Sequence, residues 1–347
     1  MKHKKLWLFL LYNLMIYPAL GLFEINTSWQ GAALGIYFCG IHFYWGIILH
    51  EFGHLIFGLL SGYRFGSIRV DSFLLYHIDG QWKTGQLEVP GTGGQCLLYP
   101  PIKKNHPYLL YHLGGIILNF IIGAIFLFVA KQIGGRGSFF LLIGALVHFA
   151  FVIINGIPFK NIPNDGNNIR LLKKSPDYQK MVDDGLKIQE EYFRGKRLKE
   201  MDDSYFLDLQ NKFDRINTMG MVSSIERFFD QGKNEQVIIY GEKLLDEGQL
   251  YPILDLAIRQ MMAISLFILK NDQEAEKITR NHQKSIFKNH LIPLTDLYGI
   301  AYQKFILKDQ KRAQEGWEKL QVKFKNHPYP GEKEMAEEIM NKYKERE

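Results

Sequence analysis

Apolar residues are distributed very unevenly along this chain. The first half contains four almost uninterrupted apolar runs, about Leu6 to Phe23, Ala32 to Leu60, Tyr108 to Ala130 and Gly137 to Ile157. Each is long enough to cross a bilayer as a helix, which takes roughly 20 residues. Between the second and third runs, Gly66 to Val89 mixes β-branched and aromatic residues around Asp79-Gly80. That dipeptide favours a tight hairpin turn, so short strands are expected there. Two readings of the hairpin stay open: a solvated linker, or an edge strand near a functional site that holds an extended segment by main-chain hydrogen bonds. Beyond about residue 170 the period becomes helical, with polar faces and little alternation. Phe287-Lys-Asn-His290 recurs as Phe324-Lys-Asn-His327, and polar helix starts at Lys233-Asn234, Lys270-Asn271 and Lys308-Asp309 keep a similar spacing. Stacked helix pairs are expected, similar to tetratricopeptide repeats.

These elements predict an all-α polytopic membrane protein with four transmembrane helices, a small cytoplasmic β-hairpin insert and a C-terminal α-helical repeat domain. The expected boundaries are 1–30 for the first helix and its outer loop, 31–170 for a membrane core with the insert at about 62–105, and 171–347 for the repeats. Charge supports the division. Residues 1–166 hold 11 Lys+Arg and 6 Asp+Glu, whereas residues 167–347 hold 31 and 30. The pI near 9.0 therefore reflects lysines beside the membrane, and no basic stripe tracks nucleic-acid phosphates.

Lysines before the first run place the N-terminus in the cytoplasm by the positive-inside rule. The segments 61–107 and everything after 158 then lie inside. Arg64, Arg69, Lys83, Lys103 and Lys104 in the inner loop, against Lys131 and Arg136 in an outer one, agree with that orientation. No clear cleavage pattern follows the first run, so it reads as an uncleaved helix in a bacterial cell membrane. Cys39 and Cys96 are too few and wrongly spaced for a disulfide framework or a thiolate metal site, and Cys96 falls in a predicted loop.

The chemistry is concentrated at His50-Glu51-Phe52-Gly53-His54, an HExxH pattern inside the second run. Two histidines four apart share a helix face, so both imidazoles can reach one zinc, and Glu51 is placed to take a proton from water there. Three ionisable groups in a spanning helix cost several kcal/mol unless they face a cavity and find partners. A third ligand is required, and Asp165 is the best candidate. It closes the stretch Asn155-Gly-Ile-Pro-Phe-Lys-Asn-Ile-Pro-Asn-Asp165-Gly166, where prolines break the fourth run as it reaches the cytoplasm. Because Asp165 follows the apparent end of its span, the segment must bend back towards the helix that carries the histidines. His42, His112 and His148, also within apolar runs, are expected as interhelical hydrogen-bond donors.

HExGH in one membrane helix, followed by an Asn-x-x-Pro…Pro-x-Asp-Gly stretch at the end of a later one, resembles the site-2 protease family of intramembrane zinc metalloproteases. The likeness covers about residues 35–170. It implies a three-helix protease core with the first helix as an addition. It further implies one Zn²⁺ held by His50, His54 and Asp165, with Glu51 as catalytic base, and a main-chain contact to substrate from Asn155. Gly115-x-x-x-Asn119 resembles an element of the family's middle core helix and adds Asn119 to the substrate-binding candidates. Two residues more than the family's usual number separate Asn155 from Asp165, and Ile116 stands where proline is common. The implied substrates are transmembrane proteins or membrane-bound peptide precursors, with a cytoplasmic protein as possible partner of the repeats. Two rivals remain: a zincin with a downstream glutamate such as Glu88 as third ligand, and a membrane-tethered helical scaffold whose metal site is idle.

Overall fold

The computed structural model describes residues 28–101, 108–159, 164–209, 218–247, 250–288 and 291–346. The expected first span, Leu6 to Phe23, lies outside them. The chain divides into two compact units, one formed by residues up to Phe73 together with Gly93–Lys173, the other by Leu74–Thr92 and Lys174–Glu347.

The first unit is built on α1 (Ser28–Leu60), α2 (Tyr108–Ile133) and α3 (Gly135–Gly156). All three are long and apolar enough to cross a membrane. Gly134 and Gly135, at φ 57° and 63°, reverse the chain between α2 and α3. The helices pack through small residues. A Cβ on Gly53 would sit 2.3 Å from the Gly114 carbonyl oxygen, and one on Gly114 would sit 2.3 Å from the Gly53 oxygen, so α1 and α2 touch backbone to backbone. Large apolar side chains such as Phe43, Ile56, Phe120, Phe128 and Leu146 point outward and are exposed. That surface suits hydrocarbon and not water. Buried polar residues, among them His42, His50, Glu51, His54, Asn119 and His148, lie between the helices.

Two strands complete this unit beside the start of α4 (Asp165–Lys174). Strand β1 (Arg64–Val70) runs antiparallel to β4 (Gly94–Tyr99), pairing Val70 with Gly94 and Ile68 with Cys96, with an irregularity between Phe65 and Ser67. One face of β4 follows α1. A Cβ on Gly93 would meet Ile47, one on Gly94 would meet Glu51, and the Leu98 side chain fills the space where a Cβ on Gly58 would stand. Cys96 is therefore a buried strand residue and not the loop cysteine expected.

The second unit contains the predicted hairpin, β2 (Phe73–Ile78) and β3 (Gln81–Gln86). Asp79 and Gly80 at its tip have φ 50° and 77°, the two positive values a two-residue primed turn needs. Leu74, Tyr76 and Ile78 pack with Phe193 and Tyr329, Tyr76 stacking on Phe193 at 4.5 Å, and the Gln86 amide donates to the Asn326 carbonyl at 2.9 Å. The expected insert thus divides: its middle clusters with the helical unit, while its flanks become β1 and β4.

The remaining helices are α5 (Pro176–Phe193), α6 (Thr218–Asp230), α7 (Asn234–Glu247), α8 (Pro252–Ile268), α9 (Asp272–Thr279), α10 (Gln283–Lys288), α11 (Leu294–Ala301), α12 (Gln310–Phe324) and α13 (Pro330–Glu345). One turn recurs. Gly232, Lys270 and Lys308 take positive φ, and each is followed by a residue whose carbonyl accepts from Val237, Ala275 or Ala313 respectively. Those three acceptor residues, Lys233, Asn271 and Asp309, stand 38 positions apart, and Val237, Ala275 and Ala313 are all buried. Asn271 and Asp309 also cap their helices through side-chain oxygens. The core of this unit, centred on α8, is made of large apolar residues, and the unit also buries the ion pair Arg197–Asp230 at 2.6 Å.

Candidate metal centre

His50 and His54 lie one turn apart on α1, and both are buried. Their Nε2 atoms approach to 3.1 Å. Asp165 reaches the same point from the first residue of α4, its Oδ2 lying 3.0 Å from His50 Nε2 and 3.4 Å from His54 Nε2. Three ligand atoms from two distant segments therefore converge, and this is the one His/Cys/Asp/Glu cluster with metal-holding geometry among the described residues.

The donor set fits a small divalent cation. With Zn–N and Zn–O bonds of about 2.0–2.1 Å and tetrahedral angles, neighbouring ligand atoms stand roughly 3.3 Å apart; the observed separations are 3.0, 3.1 and 3.4 Å. Asp165 Oδ2 is buried yet makes no hydrogen bond of acceptable geometry, despite its nearness to both imidazoles. A buried oxygen left so would be costly unless a cation completes it. As ligands the three groups would serve as a carboxylate and two neutral imidazoles, any proton shared among them being displaced by the cation.

The opposite ring nitrogens are held too. His54 Nδ1 donates to the Tyr111 carbonyl at 2.8 Å, which leaves its Nε2 lone pair for a metal. His50 Nδ1 lies 3.2 Å from the amide of Asn119, which in turn accepts from His148 Nδ1 at 2.7 Å. Gly115 makes room for this arrangement, since a Cβ there would stand 2.5 Å from the His50 ring.

How Asp165 returns to the site is explained by Asn164, which the sequence reading passed over. Its side-chain amide donates to the Ile154 and Ile157 carbonyls at 2.7 and 2.6 Å, satisfying the open end of α3. Its Oδ1 accepts from the Asn167 amide at 2.9 Å, capping α4. Gly166 then lies directly against α3, where a Cβ would be 2.2 Å from the Gly156 oxygen. The visible signal was an Asn immediately before an Asp-Gly helix start, an ordinary N-cap pattern.

Glu51 is buried, and its carboxyl lies against Gly94 of β4, where a Cβ would be 2.6–2.9 Å from Glu51 Cγ, Oε1 and Cδ. The two substrate-binding candidates differ in their surroundings. Asn119 is fully buried and engaged with His50, His148 and the Gly46 carbonyl at 3.4 Å, so it supports a ligand and presents nothing to a substrate. Asn155 returns its amide to the Phe151 carbonyl of its own helix at 3.1 Å and is only half-buried. His148 is an interhelical donor as expected. Comparison with family models, with characterised proteins and with solved structures finds no match.

Proposed function

We propose that this chain is an intramembrane zinc metalloprotease, similar to site-2 proteases, that hydrolyses peptide bonds in or near transmembrane segments of membrane proteins or peptide precursors. The observation that carries the reading is the meeting of His50, His54 and Asp165 within 3.0–3.4 Å of one another, with the Glu51 carboxyl buried beside them on a helix apolar enough to cross a membrane. Zinc in this position would act as a Lewis acid towards water and the scissile carbonyl.

The protein's own groups do the rest. Glu51 takes a proton from the attacking water and returns it to the leaving amine. His54 is fixed by Tyr111, and the His50 ring is oriented by the Asn119 side-chain nitrogen, 3.2 Å from its Nδ1. Strand β4 pairs with β1 and ends the sheet on that side. Beside Glu51 it can hold a substrate in extended form by main-chain hydrogen bonds, a role the sequence reading had offered for the Gly66–Val89 hairpin and not for this strand. Helical carbonyls are hidden from attack, so substrates carrying Gly, Pro or Asn near the cut are favoured.

In this reading the chain is multi-pass, with N- and C-termini in the bacterial cytoplasm and the recurrent turns of the second unit forming a tetratricopeptide-like domain for a protein partner. The test is Glu51→Gln in the purified full chain. Retained zinc with abolished cleavage of a single-span substrate is expected. Unchanged turnover removes Glu51 from the chemistry, and a wild-type chain that binds zinc but cuts nothing leaves the idle-site scaffold.

A further inference from the structure

Strand β4 does not offer its whole outer edge. The Asp71 amide donates to the Gly93 carbonyl at 2.9 Å, so the Gly93 carbonyl faces the β1 side. Main-chain groups alternate along a strand, and the carbonyls of Gly94, Cys96 and Leu98 therefore face the other way. That outward position at Cys96 is occupied: the Tyr111 hydroxyl donates to the Cys96 carbonyl at 2.8 Å. The Leu98 amide lies on the same outward edge. A carbonyl and the amide two residues on are the pair that one residue of a parallel neighbouring strand would bond. Tyr111 is fully enclosed, its ring 4.8 Å from that of Tyr63 and 5.9 Å from that of His54. At the other end of the strand, beside Glu51, the Gly94 carbonyl has only a long 3.4 Å contact from Arg69 Nη2.

We propose that Tyr111 is a positioning residue whose hydroxyl stops main-chain pairing at Cys96, confining an extended substrate to the Gly94 end of β4 and so selecting which peptide bond lies against Glu51. This rests on the protease reading. The ring is held by packing and the hydroxyl by the Cys96 carbonyl, so the stop is rigid. Without it, a substrate strand gains an outward carbonyl and amide and can slide along β4. Pairing repeats every second residue, so the slide moves the scissile position by two.

Tyr111→Phe separates this role from support of the metal site, because the main-chain carbonyl that receives His54 Nδ1–H is retained. The experiment uses the full chain in detergent and a series of synthetic single-span peptides with an Asn-Gly-Pro break at successive depths, the products being read by mass spectrometry and the zinc by elemental analysis. Expected for Tyr111→Phe are unchanged zinc content and a second product cut displaced by two residues. Wild-type cleavage with an identical single cut in the variant overturns the register role alone. Loss of zinc in the variant overturns it too, since Tyr111 would then be a structural support. Absence of cleavage by wild-type protein that holds zinc overturns the protease reading and this inference with it.

Discussion

The two units of this chain solve the packing problem in opposite ways. In the helical unit, residues such as Met221, Ile258, Phe267 and Leu297 are fully buried, and ion pairs such as Arg259–Asp255 and Lys277–Glu274 lie outside that core, with Arg197–Asp230 a buried exception. In the unit carrying the candidate metal centre many large apolar residues face outward, and glycines and polar side chains, together with a small apolar cluster of Phe38, Ile41 and Phe140, fill the interior. Water explains the first arrangement through apolar burial. Hydrocarbon explains the second, where nothing is gained by burying leucine and close backbone approach and interhelical hydrogen bonds hold the helices together. A polar interior is then available for chemistry.

The comparison breaks most sharply at Gly53. Gly53→Val places atoms where the Gly114 carbonyl stands, and forced repacking costs about 1–3 kcal/mol or more. Zinc binding and activity should be lost, while hydrogen exchange in α6 to α13 stays as in wild type. Parallel loss of protection in those helices would show that the units do not pack independently.

Removing Asn119 should do less. Asn119→Ala leaves His50 unsupported and should weaken zinc binding about 10- to 100-fold, as orienting partners of metal ligands generally do. Competition with a fluorescent chelator measures it, and an unchanged affinity would return Asn119 to the substrate-contacting role.

Asn164→Ala should cost roughly 1–2 kcal/mol through the lost cap and the freed α3 carbonyls. Because α4 begins with Asp165, a smaller fall in zinc affinity should accompany faster exchange at the start of α4. Full zinc affinity with a frayed α4 would mean that Asp165 is held by something else.

The other unit carries a pH-dependent contribution. Burial, with the neighbouring Glu332 adding repulsion, raises the Glu226 carboxyl to about 7. In that window the folded chain keeps a proton the unfolded chain has lost, so stability falls as pH rises from the ordinary glutamate range to about 7. The slope is at most about 1.4 kcal/mol per pH unit. Glu226→Gln should flatten it, most visibly as greater protection of α6 at pH 8 than in wild type. Equal protection across that range would refute the assignment.

Where a single physical pattern set the structure, it was legible in the residues. Apolar runs marked α1, α2 and α3, Asp79-Gly80 marked the hairpin turn, and HExxH with Asp165 marked the converging side chains. What escaped depended on contacts between segments far apart in the chain. Nothing local in Gly94-Gln-Cys-Leu-Leu-Tyr99 announces an antiparallel partner 24 to 35 residues earlier, so β4 was missed. Nor does Asn119 reveal that its neighbours are His50 and His148. The 38-residue turn was visible only as similar polar helix starts, because its hallmark is a backbone angle at Gly232, Lys270 and Lys308.

The most direct measurement is the zinc content of the purified full chain, compared among wild type, His54→Ala and Asp165→Ala after equal exposure to a chelator. The account predicts one tightly held zinc in wild type and none in either variant, with helix content unchanged. Zinc retained by Asp165→Ala at wild-type affinity would contradict it.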